Sequence, residues 1–137
     1  MSQATFVDTQ FVVALINQRD QHHQRAVELS YAFTHKPLVT TELVLIEIGN
    51  ALASHFRREA VELIEYFHRA ENVEIVPLTP ALFAEAFALY RSRGDKDWGM
   101  TDCVSFVVMR RANLHDALTF DQHFAQAGFS ALMRMQP

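Results

Sequence analysis

Only one cysteine, Cys103, stands in the chain, so no intrachain disulfide can form and a reducing cytoplasm is the expected setting. Glycine and proline are scarce, at four residues each, which excludes collagen-like and low-complexity classes. No apolar run nears the roughly 18 residues of a membrane span. The opening MSQATFVDTQ carries neither a basic n-region nor an apolar h-region, so neither a membrane segment nor a signal peptide is expected. There is no GxxxxGK[ST] stretch, which excludes a P-loop NTPase. The seven histidines show no HExxH spacing, and most are expected at the surface. Nor is there an excess of basic charge: the formal net charge is −4, where nucleic-acid binders are often basic.

What is present is a globular chain. Half of its 137 residues are hydrophobic and eleven are phenylalanine. That length fits one domain, residues 1–137, burying roughly 68% of its unfolded surface. No repeat, linker or low-complexity tract suggests a second.

Along the chain, strands alternate with helices. Ala4 to Asp8 reads as a buried central strand, and Thr9 can cap a helix running to about Asn17 with Phe11, Val12, Leu15 and Ile16 as its apolar stripe. The polar tract Gln18–Gln24 is a connection. It leads to a helix carrying Ala26, Val27, Leu29, Ala32 and Phe33, and Leu38–Thr40 is the next strand. Glu42 to about Phe56 predicts a helix with Val44, Ile48, Ala51 and Leu52 inward, and Arg58 to Ala70 another with Val61, Leu63, Ile64 and Phe67. Val73–Val76 alternates as a strand. Thr79-Pro80 starts a helix reaching Tyr90 through Leu82, Phe83, Ala86 and Leu89, with Gly94 closing the segment. Thr101–Arg111 is apolar almost all round, hence a buried helix ended by Asn113. Asp116–Phe120 holds a strand, Asp121–Ala127 a short helix, Gly128 a turn, and Phe129–Met133 a final edge strand. This alternation predicts an α/β fold with a largely parallel sheet and helices on both faces.

Four acids stand where strand carboxyl ends or neighbouring helix turns face one crevice: Asp8, Glu47, Asp102 and Asp121. Singly, each has an ordinary explanation, as a cap, a turn residue or a snorkelling edge. Two carboxylates about 4 Å apart repel by ~4 kcal/mol at an effective dielectric of 20, so a cluster of four needs protons or a cation. Oxygen ligands without cysteine or paired histidine point to Mg²⁺ or Mn²⁺ rather than zinc. These four acids match the whole negative excess of the chain, so its acidity does not exclude an RNA substrate.

The hydroxyls Thr9, Thr101 and Thr119 are candidates for supporting the acids or contacting phosphate, and serve equally well as caps and strand formers. Asp97 is a candidate additional acid, while Asp95 is expected to stay solvated. Arg91, Arg93 and Lys96 can receive a nucleic-acid backbone or simply line a solvated loop, and Trp98 can stack on a base or pack. Cys103, in a buried helix, reads as core. Asp8-Thr9-Gln10 lacks the second aspartate of haloacid-dehalogenase phosphatases. The late strand ends in Thr119-Phe120-Asp121 instead of the lysine of a receiver domain.

Taken in order, these pieces resemble the PIN domain family, in particular bacterial VapC-type toxins. The resemblance rests on Val7-Asp8-Thr9 with the helix after it and on Glu47 in LVLIEIGNAL. It continues with Thr101-Asp102-Cys103 opening an apolar helix and Thr119-Phe120-Asp121-Gln122-His123-Phe124, and it spans essentially the whole chain. It implies a three-layer α/β/α fold and a Mg²⁺- or Mn²⁺-dependent endoribonuclease in which Asp8, Glu47, Asp102 and Asp121 are the catalytic, metal-binding quartet. It also implies an RNA substrate, a cognate antitoxin and a homodimer. A PIN-like module that binds RNA or protein without cleaving is the alternative, and a metal-dependent phosphatase or DNA nuclease a third reading.

Overall fold

A computed structural model describes residues 3–135. Met1 and Ser2, which begin the stretch read as carrying no leader, lie outside them. Five parallel strands form one sheet in the order β3-β2-β1-β4-β5: β1 Thr5–Val7, β2 Leu38–Thr41, β3 Val73–Val76, β4 Asp116–Leu118 and β5 Ser130–Ala131. The central strand β1 is fully buried, as expected of a short apolar run covered on both sides. Its register, Phe6 opposite Ala117 and Val7 opposite Leu118, brings the carboxyl ends of β1 and β4 level.

Seven helices are present among the described residues: α1 Thr9–Ile16, α2 His23–Ala32, α3 Glu42–Ala51, α4 Arg57–Arg69, α5 Pro80–Ser92, α6 Met100–Arg111 and α7 Gln122–Gln126. α1 packs on α2 and α3, and α3 on α4; separately, α5 packs on α6 and α6 on α7. With right-handed crossovers these two groups cover opposite faces of the sheet, giving three layers. None of these helices is long and apolar enough to cross a membrane.

Several boundaries differ from the sequence reading, each for a local reason. The helix expected to reach Phe56 ends at Ala51. The chain turns at once, so that Leu52 and Phe56 pack at the junction with α4. Ala51, expected inward, is exposed, as are Val61 on α4 and Phe83 and Tyr90 on α5. The strand expected to reach Phe120 stops at Leu118, because the Thr119 hydroxyl accepts the Asp121 amide in place of ladder pairing. The final edge strand is two residues long and passes into a 3-10 turn at Leu132–Arg134. Gly128, at φ 98°, and Asn113, at φ 58°, take the left-handed conformations that end α7 and α6 as expected.

An aromatic cluster fixes the elements that matter most for the site. Phe106 of α6 meets Phe124 of α7 and Trp98 edge-on, each with ring centroids 5.0 Å apart, and Phe124 also packs on Phe6 of β1. α6, α7 and the central strand are thereby locked to one another by rings that are buried outright.

Candidate active site

The chain leaves β1 toward β2 and β3, then returns past it to β4 and β5. Between β1 and β4 the winding direction reverses, and a crevice opens beyond the strands' carboxyl ends. Asp8 sits there as the first residue after β1 and Asp121 as the third after β4. Glu47 reaches in from α3 on one face of the sheet, and Asp102 from the first turn of α6 on the other. One surface cleft is lined by Asp8, Thr9, Glu47, Thr101, Asp102 and Asp121 together with Gln10, Asn50 and Ala51. All four acids predicted from the sequence are brought together, and Ala51 is exposed because it forms part of that cleft.

The hydroxyls hold the acids. Thr119, wholly buried, donates to Asp8 Oδ2 at 2.7 Å and accepts the Asp121 amide at 3.1 Å, so one side chain ties the ends of β1 and β4 together. Thr9 donates to Glu47 Oε1 at 2.8 Å. It is the first residue of α1, not its cap; that position belongs to Asp8, whose side chain makes no capping bond and is left to face the cleft. Thr101 lines the cleft but is not a cap either, since α6 begins after Gly99. Replacing Thr119 with valine keeps the shape and removes both hydrogen bonds from a site that water does not reach. We expect a loss of ~1–3 kcal/mol in urea denaturation. An unchanged midpoint would mean that Thr119 does not support Asp8.

Burial governs the charge of this cluster. It pushes the Asp8 carboxyl up to about 7, outweighing the Thr119 hydroxyl and the Thr9 amide, while the neighbouring Asp102 and Asp121 push further in the same direction. Asp102 is also raised, again chiefly by burial, against the opposing help of the Gly99 amide and His123. Carboxyls forced toward neutrality by burial and by one another are a donor set that a divalent cation fits, because the cation supplies the missing positive charge. Cys103 is buried and its thiol pushed up, which suits core packing and not a nucleophile.

Other candidates lie elsewhere. Asp97 is exposed and lines a separate hollow with Tyr90, Arg91, Arg93, Lys96 and Trp98, so the structure does not bring it to the quartet. Trp98 is buried: it packs on Phe106 and donates to Gln126 Oε1 at 3.0 Å, which rules out a base-stacking platform. Arg93 is held by a two-pronged contact with Asp95 and lies over the Trp98 ring, and Arg91 lies over Phe87. One residue was missed. His123 is half-buried, with Nδ1 3.0 Å from Asp102 Oδ2 and 3.4 Å from Asp121 Oδ1, inside the cluster and not at the surface. The spacing Asp121-x-His123 was the available signal, because two residues after a helix-capping acid the chain has just turned back toward it.

Comparison with known proteins agrees with this geometry. The profile of the PIN domain matches residues 5–130. The 23S rRNA-specific endonuclease VapC20 of Mycobacterium tuberculosis, from strains CDC 1551 / Oshkosh and H37Rv, is 29% identical over 124 residues, covering 90% of this chain and 94% of that protein. The crystal structure of Mycobacterium tuberculosis VapC20, described as a sarcin-ricin loop cleaving toxin, superposes with a TM-score of 0.83 at 28% identity, covering 93% of this chain and 98% of that one. A five-stranded parallel sheet with acids at its switch point, matched by profile over nearly its full length, places this chain in the PIN domain family.

Proposed function

We propose that the chain is a divalent-metal-dependent endoribonuclease, one PIN nuclease domain over residues 1–137, acting as the toxin of a type II toxin–antitoxin pair. The observation that carries this reading is the convergence of Asp8, Glu47, Asp102 and Asp121 on one open cleft from both helical layers and the sheet between them. These four side chains are the ones that hold Mg²⁺ or Mn²⁺. A bound cation there supplies Lewis acidity to a phosphodiester and to an attacking water and offsets charge on the phosphate oxygens. The protein does the positioning. Thr119 fixes Asp8, Thr9 fixes Glu47, the Gly99 amide fixes Asp102, and the His123 amide fixes Asp121. Thr101, free of a capping duty, lines the cleft and is the hydroxyl we assign to a phosphate oxygen of the substrate. Arg91, Arg93 and Lys96, which line the separate hollow, are the cations we assign to the RNA backbone.

The substrate class is structured RNA. The sarcin–ricin loop of 23S rRNA is the first target to try, since VapC20 is named for both. The setting is the cytoplasm, and the partners are a cognate antitoxin and a second copy of the chain. The exposed aromatic row Phe83, Phe87 and Tyr90 on α5 supports a protein interface.

The reading is tested by incubating the protein with a sarcin–ricin hairpin, an unstructured RNA, the DNA equivalents and a small phosphoester, with Mg²⁺ or Mn²⁺ and with chelator. RNA cleavage that chelation stops is the expected result. Hydrolysis of the small ester with RNA left whole would favour a phosphatase, and cutting of DNA alone a DNA nuclease. RNA binding without cleavage under every cation would leave a non-catalytic binding module.

A further inference from the structure

We propose that His123 is a nitrogen ligand of the metal centre and that it biases the centre toward Mn²⁺ over Mg²⁺. The inference rests on the metal-nuclease reading above and adds a donor that the acid quartet does not include. Ligand atoms of Asp102, Asp121 and His123 all lie within 4.8 Å of one another, and the three side chains are 19–23% exposed, open enough to exchange an ion and closed enough to hold it. Neighbouring ligand atoms on an octahedral ion with bonds of ~2.1 Å are roughly 3 Å apart. The imidazole Nδ1 meets Asp102 Oδ2 at 3.0 Å and Asp121 Oδ1 at 3.4 Å, so it already stands at the spacing of adjacent ligands.

The ring is also held in place before any ion arrives. Asp121 caps α7 by accepting the His123 amide at 2.9 Å, which ties the backbone of the histidine to one of its partner ligands. Phe124, the next residue, is buried against Phe6 and Phe106 and fixes the rotation of that short helix. Without a cation, the contact of Nδ1 with Asp102 is a hydrogen bond. A cation shared by Nδ1 and Asp102 Oδ2 would take the lone pair of Nδ1, with the ring hydrogen on the other nitrogen.

The preference follows from donor chemistry. Mg²⁺ is hard and reluctant to give up oxygen ligands, whereas imidazole binds transition ions readily and Mn²⁺ sits at the boundary between the two behaviours. One nitrogen among carboxylates therefore costs Mg²⁺ more than Mn²⁺.

The experiment is pulsed electron paramagnetic resonance of Mn²⁺ bound to the full chain, prepared with natural histidine and with ¹⁵N-labelled histidine, alongside Mn²⁺ and Mg²⁺ titrations of wild type and His123→Gln. The expected result is a nitrogen coupling that changes with the label and vanishes in the variant, with the ratio of Mn²⁺ to Mg²⁺ affinity falling roughly tenfold. Bound Mn²⁺ without histidine nitrogen coupling in the wild type would overturn the inference and leave His123 as a hydrogen-bonding support for Asp102, with the nuclease reading intact. Failure of the wild type to bind either ion would overturn both together. Absence of histidine coupling in the wild type decides against the inference even if the variant folds poorly.

Discussion

Asp102→Asn is expected to lower the RNA cleavage rate at saturating Mn²⁺ by about three orders of magnitude, or ~4 kcal/mol of transition-state stabilisation, while leaving the fold as stable as before or more so. The two halves of that expectation have separate causes. Asp102 Oδ2 accepts the Gly99 amide at 3.1 Å at the start of α6, and the amide oxygen of asparagine can take over that bond. The substitution removes a negative charge that faces Asp121 and pushes the Asp8 carboxyl upward, so mutual repulsion among the acids falls. The same lost charge deprives a divalent cation of a ligand and leaves His123 without its anionic partner. A carboxylate kept for stability shows the opposite pattern, with activity falling only as far as folding does. Cleavage measured beside urea denaturation separates the two. A variant that cleaves at the wild-type rate would strip Asp102 of its place in the site and point to a contaminating nuclease.

How much of this was legible in the sequence depends on the range over which each feature is encoded. Parallel strands covered on both sides read as short apolar runs, so β1 and its neighbours stand out, and Asp8 and Asp121 come within three residues of their ends. Glu47 was legible because it interrupts an apolar helix face. His123 was not, because its partner Asp102 is 21 residues away on another helix, and only the packing of Phe106 against Phe124 brings the two together. The role of Thr9 turned on a single residue of strand length: with β1 ending at Val7, Asp8 takes the cap position and Thr9 is released to bond Glu47. Trp98 lies in a loop whose local pattern carries no periodicity, so its burial against Phe106 left no trace in the spacing. Ala51 obeyed the helical period and still came out exposed, since the face it shares with Glu47 looks over the cleft at its end.

The metal-free protein is expected to lose stability as the pH rises from about 4 to about 7, and a divalent cation to restore it at the upper end. The Asp8 carboxyl titrates near 3.8 when the chain is unfolded and at about 7 when folded. Between those values the folded state holds a proton that the unfolded state has released, so the slope of unfolding free energy against pH is negative. Above 7 both states are ionised and the curve flattens. At 1.36 kcal/mol per pKa unit the total is on the order of 4 kcal/mol at most, and Asp102, raised in the same sense, adds to it. Cation binding competes with that proton. The apparent affinity for Mg²⁺ or Mn²⁺ is therefore expected to climb up to about tenfold per pH unit until it levels near pH 7. The thermal shift on adding Mn²⁺ is expected to be small at pH 5 and several degrees at pH 8. Asp8→Asn provides the control: its side-chain oxygen can still accept from the Thr119 hydroxyl, but it carries no charge to bury. Melted without metal at pH 8 it is expected to exceed the wild type, and its response to Mn²⁺ to disappear. A metal-free wild type whose stability is flat from pH 5 to pH 8 would show that Asp8 is solvated like a surface carboxylate, and the case for a cation as its natural counter-charge would go with it.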